Sequence, residues 1–215
     1  AGGQASPTYT HMTTYNYYLP DQKSSDTPTE TRIKARSTKE EDERMAEVIK
    51  KFFERQQKSV IPKIGAKASK WWDEERWNKE LADDIEPVIN SIADFHGTDT
   101  SELLGTKYDT ARTRKYLRAL SEGRATAINS STYTKLTDSL DSDDVEPEDV
   151  FEKRKEVDSA VIGGSLALVS AGWSVQESCR QAKDSGFDKQ IFKEWVTGDN
   201  SRPSHAMMNG ERSEE

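Results

Sequence analysis

Between Thr38 and Leu140 the apolar residues are sparse and recur three and four positions apart, a spacing that only helices can turn into a continuous buried face. Met45, Val48, Ile49, Phe52, Phe53, Val60 and Ile61 form the first such face. It begins behind Ser37 or Thr38, which precede an acidic first turn of Glu40, Glu41 and Asp42, and it is ended or bent at Pro62 and Gly65. A second helix is predicted over 71–95 through Trp72, Trp77, Leu81, Ile85, Val88, Ile89 and Ile92, with a kink or break at Pro87 and a stop at Gly97. Residues 98–106 read as a loop with a short helical turn. A third helix, over 109–140, carries Tyr116, Leu117, Leu120, Ala127, Ile128, Tyr133, Leu136 and Leu140 and is interrupted near Gly123.

The run from Asp138 to Asp149 is acidic without a basic residue, and it has neither the mid-loop glycine nor the closing glutamate of an EF-hand. It reads as a solvated hinge over 141–148 that opens a fourth helix, since Pro147 suits the first helical position and Glu148 and Asp149 complement the positive end of the dipole. That helix is predicted to reach about Ser170. Its adjacent Gly163 and Gly164 cost roughly 2 kcal/mol against alanines, which predicts that another backbone comes close there. Gly172 is expected to cap it, with a further short helix over 173–183 and a stop at Gly186.

Composition fixes what surrounds these helices. Of the 215 residues 33% are hydrophobic and 33% charged, the net charge is −8, and Cys179 is the single cysteine. No internal disulfide or cysteine-based zinc site can compensate for so thin a core, and neither metal nor cofactor is expected. No stretch approaches the roughly 18–20 apolar residues that span a bilayer, and no basic-then-apolar leader opens the chain, so neither a membrane protein nor a secretory precursor is expected. The expectation is a mainly α, elongated, multi-helix assembly protein with a disordered or extended N-terminal arm. Its parts are an arm over 1–38 without a core of its own, a helical region over 39–140, the hinge over 141–148 and a last region over 149–215.

Several residues stand out as candidates for contact with partners. Tyr15, Tyr17 and Tyr18 in the arm are amphipathic aromatics suited to docking an extended segment, and partner contact is expected from them and from the turn that carries Trp195, Arg202 and His205. Trp71, Trp72 and Trp77 form an aromatic cluster suited to a core or a subunit interface. Arg112, Arg114, Lys115 and Arg118 make a basic stripe over 107–124, the one candidate nucleic-acid contact in a chain whose acidic balance otherwise argues against phosphate binding. The sequence has no glycine-rich phosphate loop and no HExxH pattern. His205 has neither a neighbouring thiol nor a metal-ligand set, so Arg202 and His205 are expected to bond backbone carbonyls or an acid such as Asp199, and no catalytic residue is assigned.

Residues 190–211, QIFKEWVTGDNSRPSHAMMNGE, are the most specific stretch. They resemble the Mu F-type phage head morphogenesis family, whose motif runs Lys-x-Trp, a polar turn, Arg-x-Arg-Pro-x-His and small residues to a glycine. The matching positions are Lys193, Trp195, Arg202, Pro203, Ser204, His205, Asn209 and Gly210, and the helix with Lys155-Glu156-Val157 and Gly163 or Gly164 fits the family's upstream helix. Asn200-Ser201 replaces the first arginine, 173–189 is extra length, and at 213–215 the family's strand-rich end is expected to be missing or different, as in a processed, truncated or portal-fused chain. The resemblance implies a non-enzymatic minor head or capsid protein at the portal vertex of the virion, present in multiple copies, engaged in prohead assembly or DNA packaging and ejection. It implies the portal, major capsid or scaffold proteins as partners, and packaged DNA as a further one. Alternatives are the C-terminal region of a portal protein, a DNA-contacting protein ejected with the genome, or a fragment of a larger enzyme or toxin that carries a Mu F region.

Overall fold

The computed structural model of the chain describes residues 13–20, 30–66, 70–141, 144–197 and 211–214. The fold is mainly α. Strands β1 (Thr13–Pro20) and β2 (Glu30–Ala35) precede helices α1 (Lys39–Gly65), α2 (Glu74–Leu103), α3 (Thr110–Leu140), α4 (Pro147–Lys153) and α5 (Ser159–Asp184), and strands β3 (Phe192–Thr197) and β4 (Arg212–Glu214) follow. A single π turn, Arg154–Asp158, links α4 to α5. The described residues group into two units, one drawn from 37–95 and 109–170 and the other from 1–36, 96–108 and 171–215, so neither unit is a consecutive stretch.

The helical unit is built by the spacing read above. Thr38 and Glu41 form a complete capping box at the start of α1: the Thr38 side chain accepts from the Glu41 amide at 3.2 Å and Glu41 accepts from the Thr38 amide at 2.7 Å. Asp109 caps α3 by accepting from the amides of Ala111 and Arg112. The core comprises Met45, Ile49, Phe52, Phe53 and Val60 of α1, Trp77, Leu81, Ile85, Ile89 and Ile92 of α2, Leu117, Ala125 and Leu136 of α3, Val150 and Phe151 of α4 and Leu166 of α5. Inside it runs a chain of amides: Gln56 donates to Asn129 at 3.0 Å and Asn129 donates to Asn78 at 3.0 Å, joining α1, α3 and α2. These two bonds close in only one register of the three helices, which adds to their alignment beyond what apolar packing specifies, although Gln56 Oε1 stays buried without a hydrogen bond.

Gly163 has the role its sequence context predicts. A Cβ at this position would lie 2.5 Å from the backbone nitrogen of Ala46 and 2.6 Å from its Cα, so α5 and α1 touch through backbone there. Gly164 meets nothing closer than the Asp42 carboxylate at 3.8 Å. The helices themselves depart from expectation in several places. Pro87 does not break α2, because the buried Ile85, Val88 and Ile89 around it hold the helix through the lost hydrogen bond. Gly123 does not interrupt α3, and Gly172 does not end α5, which runs on through the segment expected as a separate helix.

The sheet unit corrects two further expectations. Gly97 lies inside α2, because the Tyr108 ring occupies the space a side chain would need. The true stop is Gly105, with φ +68°, where the amides of Gly105 and Thr106 donate to the carbonyls of Glu102 and Ser101 at 3.0 and 2.8 Å in a Schellman motif. The same arrangement at Gly186 ends α5, with Phe187 donating to Ala182 at 3.0 Å and packing on the adjoining apolar cluster. That cluster contains Ile33, Ala35, Leu104, Val175, Cys179, Ala182 and Ile191. The arm therefore does contribute to a core: its second strand supplies two fully enclosed side chains, and in its described parts the arm is extended and paired. Where the reading allowed a disordered or an extended arm, 13–20 and 30–35 take the extended form.

The contrast between the two adjacent glycines gives a direct check. Gly163→Ala is expected to destabilise the chain by about 1–3 kcal/mol through overpacking against a backbone that has no rotamer to move. Gly164→Ala, at ordinary contact distance, is expected to be neutral or to stabilise by up to about 1 kcal/mol through helix propensity. Urea unfolding of both variants beside the parent measures the difference.

Candidate partner interface

The four-stranded sheet has the order β2-β1-β3-β4, every pair antiparallel. In it Tyr15 of β1 lies opposite Trp195 of β3, Tyr17 opposite Lys193 and Tyr18 opposite Phe192, while on the other side of β1 Tyr15 faces Ala35 and Tyr17 faces Ile33. Residues assigned to partner contact from two distant parts of the sequence are thus neighbours in one central strand pair. β3 and β4 pair through Lys193 with Ser213 and Glu194 with Arg212, and the latter two also form an ion pair at 2.9 Å. Arg202, Pro203, Ser204, His205, Asn209 and Gly210 belong to the connection between these strands and lie outside the described residues.

The tryptophans separate into two environments within the helical unit. Trp77 is 1% exposed and packs edge-on against Phe52 with ring centroids 6.0 Å apart, so it is a core residue and not a surface for partners. Trp71 and Trp72, half-buried, precede α2 and meet Tyr133 of α3: Trp71 stacks on Tyr133 at 5.4 Å and 17°, Trp72 lies 5.6 Å from it at 51°, and the two indoles meet at 68°. With Lys70, Glu74 and Ser130 these rings line an open recess of about 420 Å³. Tyr133, read above as one of the apolar positions of its helix, is instead 43% exposed. Only the fold, which joins α3 to a segment some sixty residues upstream, brings it to the tryptophans.

The basic stripe on α3 faces the acids of α2. Arg114 pairs with Asp94 at 2.6 Å, and Arg118 with Glu86 at 2.5 Å, Asp83 at 2.9 Å and Glu122 at 2.7 Å. These carboxylates raise the Arg118 guanidinium further above its ordinary value, with Glu86 the largest cause. The Asp83 carboxyl is correspondingly depressed, first by the hydrogen bond from Lys79 and then by Arg118. Two of the four residues singled out for nucleic-acid contact therefore already have their charge met within the unit. Lys115 is exposed, and Arg112 donates its amide to the Asp109 cap.

Beneath the surface, Arg154 of the π turn is buried and bonds Asp158 at 3.0 Å and the Ser131 hydroxyl at 2.8 Å, while its guanidinium sits 5.7 Å from the centre of the Phe53 ring. Burial pulls this guanidinium below its ordinary value, opposed by the Asp158 charge and hydrogen bond. The two partners lie four residues apart within this turn, a spacing at which helical side chains are neighbours. Among the described residues no group of histidines, cysteines and acids could hold a metal ion, and no helix is long and apolar enough to cross a membrane. Comparison of the chain with protein-family models, with curated proteins and with solved structures finds no match.

The Asp83 layer sets an acid-stability expectation. A carboxyl depressed in the folded state stabilises the fold above its unfolded value and loses that contribution as the pH falls through the folded one. Asp83→Asn should therefore lower stability slightly at pH 7, by less than about 1 kcal/mol for so accessible a cluster. The gap from the parent should close as the pH is taken below the ordinary carboxylate range, which paired urea titrations across pH 7 to 2.5 would read.

Proposed function

We propose that this chain is a structural component of a phage head, a Mu F-like morphogenesis protein that docks at the portal vertex during prohead assembly and performs no catalytic step. The reading rests on the motif resemblance over Lys193 to Gly210. The observation that adds most support is the pairing of Tyr15 with Trp195, because it makes the tyrosine arm and the motif strand parts of one folded element. A docking element assembled from both ends of the described chain suits a protein whose contacts with the portal, scaffold or major capsid protein supply burial that a 33% hydrophobic chain lacks. The Gly163 contact agrees with the family's use of a glycine in the preceding helix.

The test is native mass spectrometry of the chain mixed with purified portal rings from the same particle. Discrete complexes of defined stoichiometry are expected, and Trp195→Ala should weaken them about tenfold or more, as truncation of an aromatic anchor does. Arg202→Ala, placed in the connection between β3 and β4, should weaken binding while leaving the unfolding midpoint at the parental value. A folded monomer indifferent to portal rings would overturn the proposal.

A further inference from the structure

We propose that the recess of Trp71, Trp72 and Tyr133 is a receptor for a cationic side chain, arginine by preference, presented by a partner protein. The proposal is independent of the head-assembly reading, since it rests on the helical unit alone. Trp71 and Tyr133 stack within 17° of parallel, and Trp72 stands at 68° and 51° to them, so the three rings form a corner and not a flat patch. The π face of an aromatic ring carries negative potential and attracts a cation within about 6 Å of its centroid. Glu74 adds a full carboxylate to the same lining.

The lining itself holds one cation, Lys70, and one carboxylate, Glu74, and over 70–76 Asp73, Glu74 and Glu75 outnumber Lys70 and Arg76. The same chemistry is realised one step along the chain, where Arg76 lies 4.3 Å over the Trp77 ring and is held at its Nε by Glu80 at 2.6 Å. There a guanidinium sits on an indole with a carboxylate at its edge. The recess repeats that combination with Glu74 beside Trp71 and Trp72 and with about 420 Å³ of open volume over it. A guanidinium fits better than an ammonium because it is planar, stacks on an indole, is more weakly hydrated and can meet a carboxylate with two parallel hydrogen bonds. A nucleotide would offer a stackable base, and its phosphate would meet Lys70 as well as Glu74 in the lining, so it is the comparator that separates the two chemistries.

The experiment is an NMR titration of the full chain labelled at its indole nitrogens, using an acetylated Gly-Arg-Gly amide as probe, with the citrulline peptide and uridine monophosphate as comparators. Saturable shifts of the Trp71 and Trp72 indole signals are expected, with affinity about five-fold higher for arginine than for its uncharged citrulline isostere. Glu74→Gln and Tyr133→Leu should each reduce that affinity several-fold while the buried Trp77 signal stays in place, which reports an intact fold. Equal affinity for arginine and citrulline, stronger shifts with the nucleotide, or shifts unchanged in Tyr133→Leu would overturn the proposal.

Discussion

The helical unit depends on the point where α5 meets α1 backbone to backbone, at Gly163 and Ala46. A side chain at Gly163 would hold the two helices apart, and the contacts that line up on either side of it would not close. Towards the start of the α4–α5 stretch these include Lys50 with Glu156 at 3.2 Å, Gln57 with Glu152 at 3.3 Å and the buried Arg154 guanidinium beside Phe53. The exposed pairs contribute little individually. Further along α1 the fully buried Phe52 packs edge-on against Trp77 and Phe53 lies beside the Arg154 guanidinium, and those rings carry much of the apolar burial available to a chain with few large hydrophobic residues.

Polar groups then set the register that a thin core leaves loose. The amide chain from Gln56 through Asn129 to Asn78 ties three helices together, and the Arg154–Asp158 pair anchors the π turn against Ser131 of α3. Each of these groups would be costly to leave unpaired in the interior, so alternative alignments of the helices are penalised. The surface layer of Arg118 with Glu86, Asp83 and Glu122 adds a salt-sensitive tie between α2 and α3.

Much of this was legible in the residues. The start of α1 behind Ser37 or Thr38, the start at Pro147, the end of α3 at Leu140 and the backbone contact at Gly163 all follow from local chemistry, and the structure has each of them, with Thr38 as the cap of α1. Gly97 misled because glycine both stops helices and admits close neighbours, and only the distant Tyr108 ring decides which. The π turn has no local signature in the sequence. Strand β2 did leave a trace, the alternation of Thr31, Ile33 and Ala35, whereas β1 is polar and aromatic at successive positions and is a strand because β2 and β3 flank it. The pairing of Tyr15 with Trp195, which joins the two ends of the candidate interface, spans most of the chain and lies beyond any periodicity.

The central claim is that the sheet carrying the arm and the motif strand is the docking element of a head-assembly protein. Amide hydrogen exchange read by mass spectrometry, on the chain alone and on the chain with portal rings, tests it most directly. The account predicts added protection concentrated in peptides covering 13–20 and 192–214, with the amides of α1 and α3 unchanged. Protection confined to the helical unit, with the sheet exchanging as in the free chain, would contradict it.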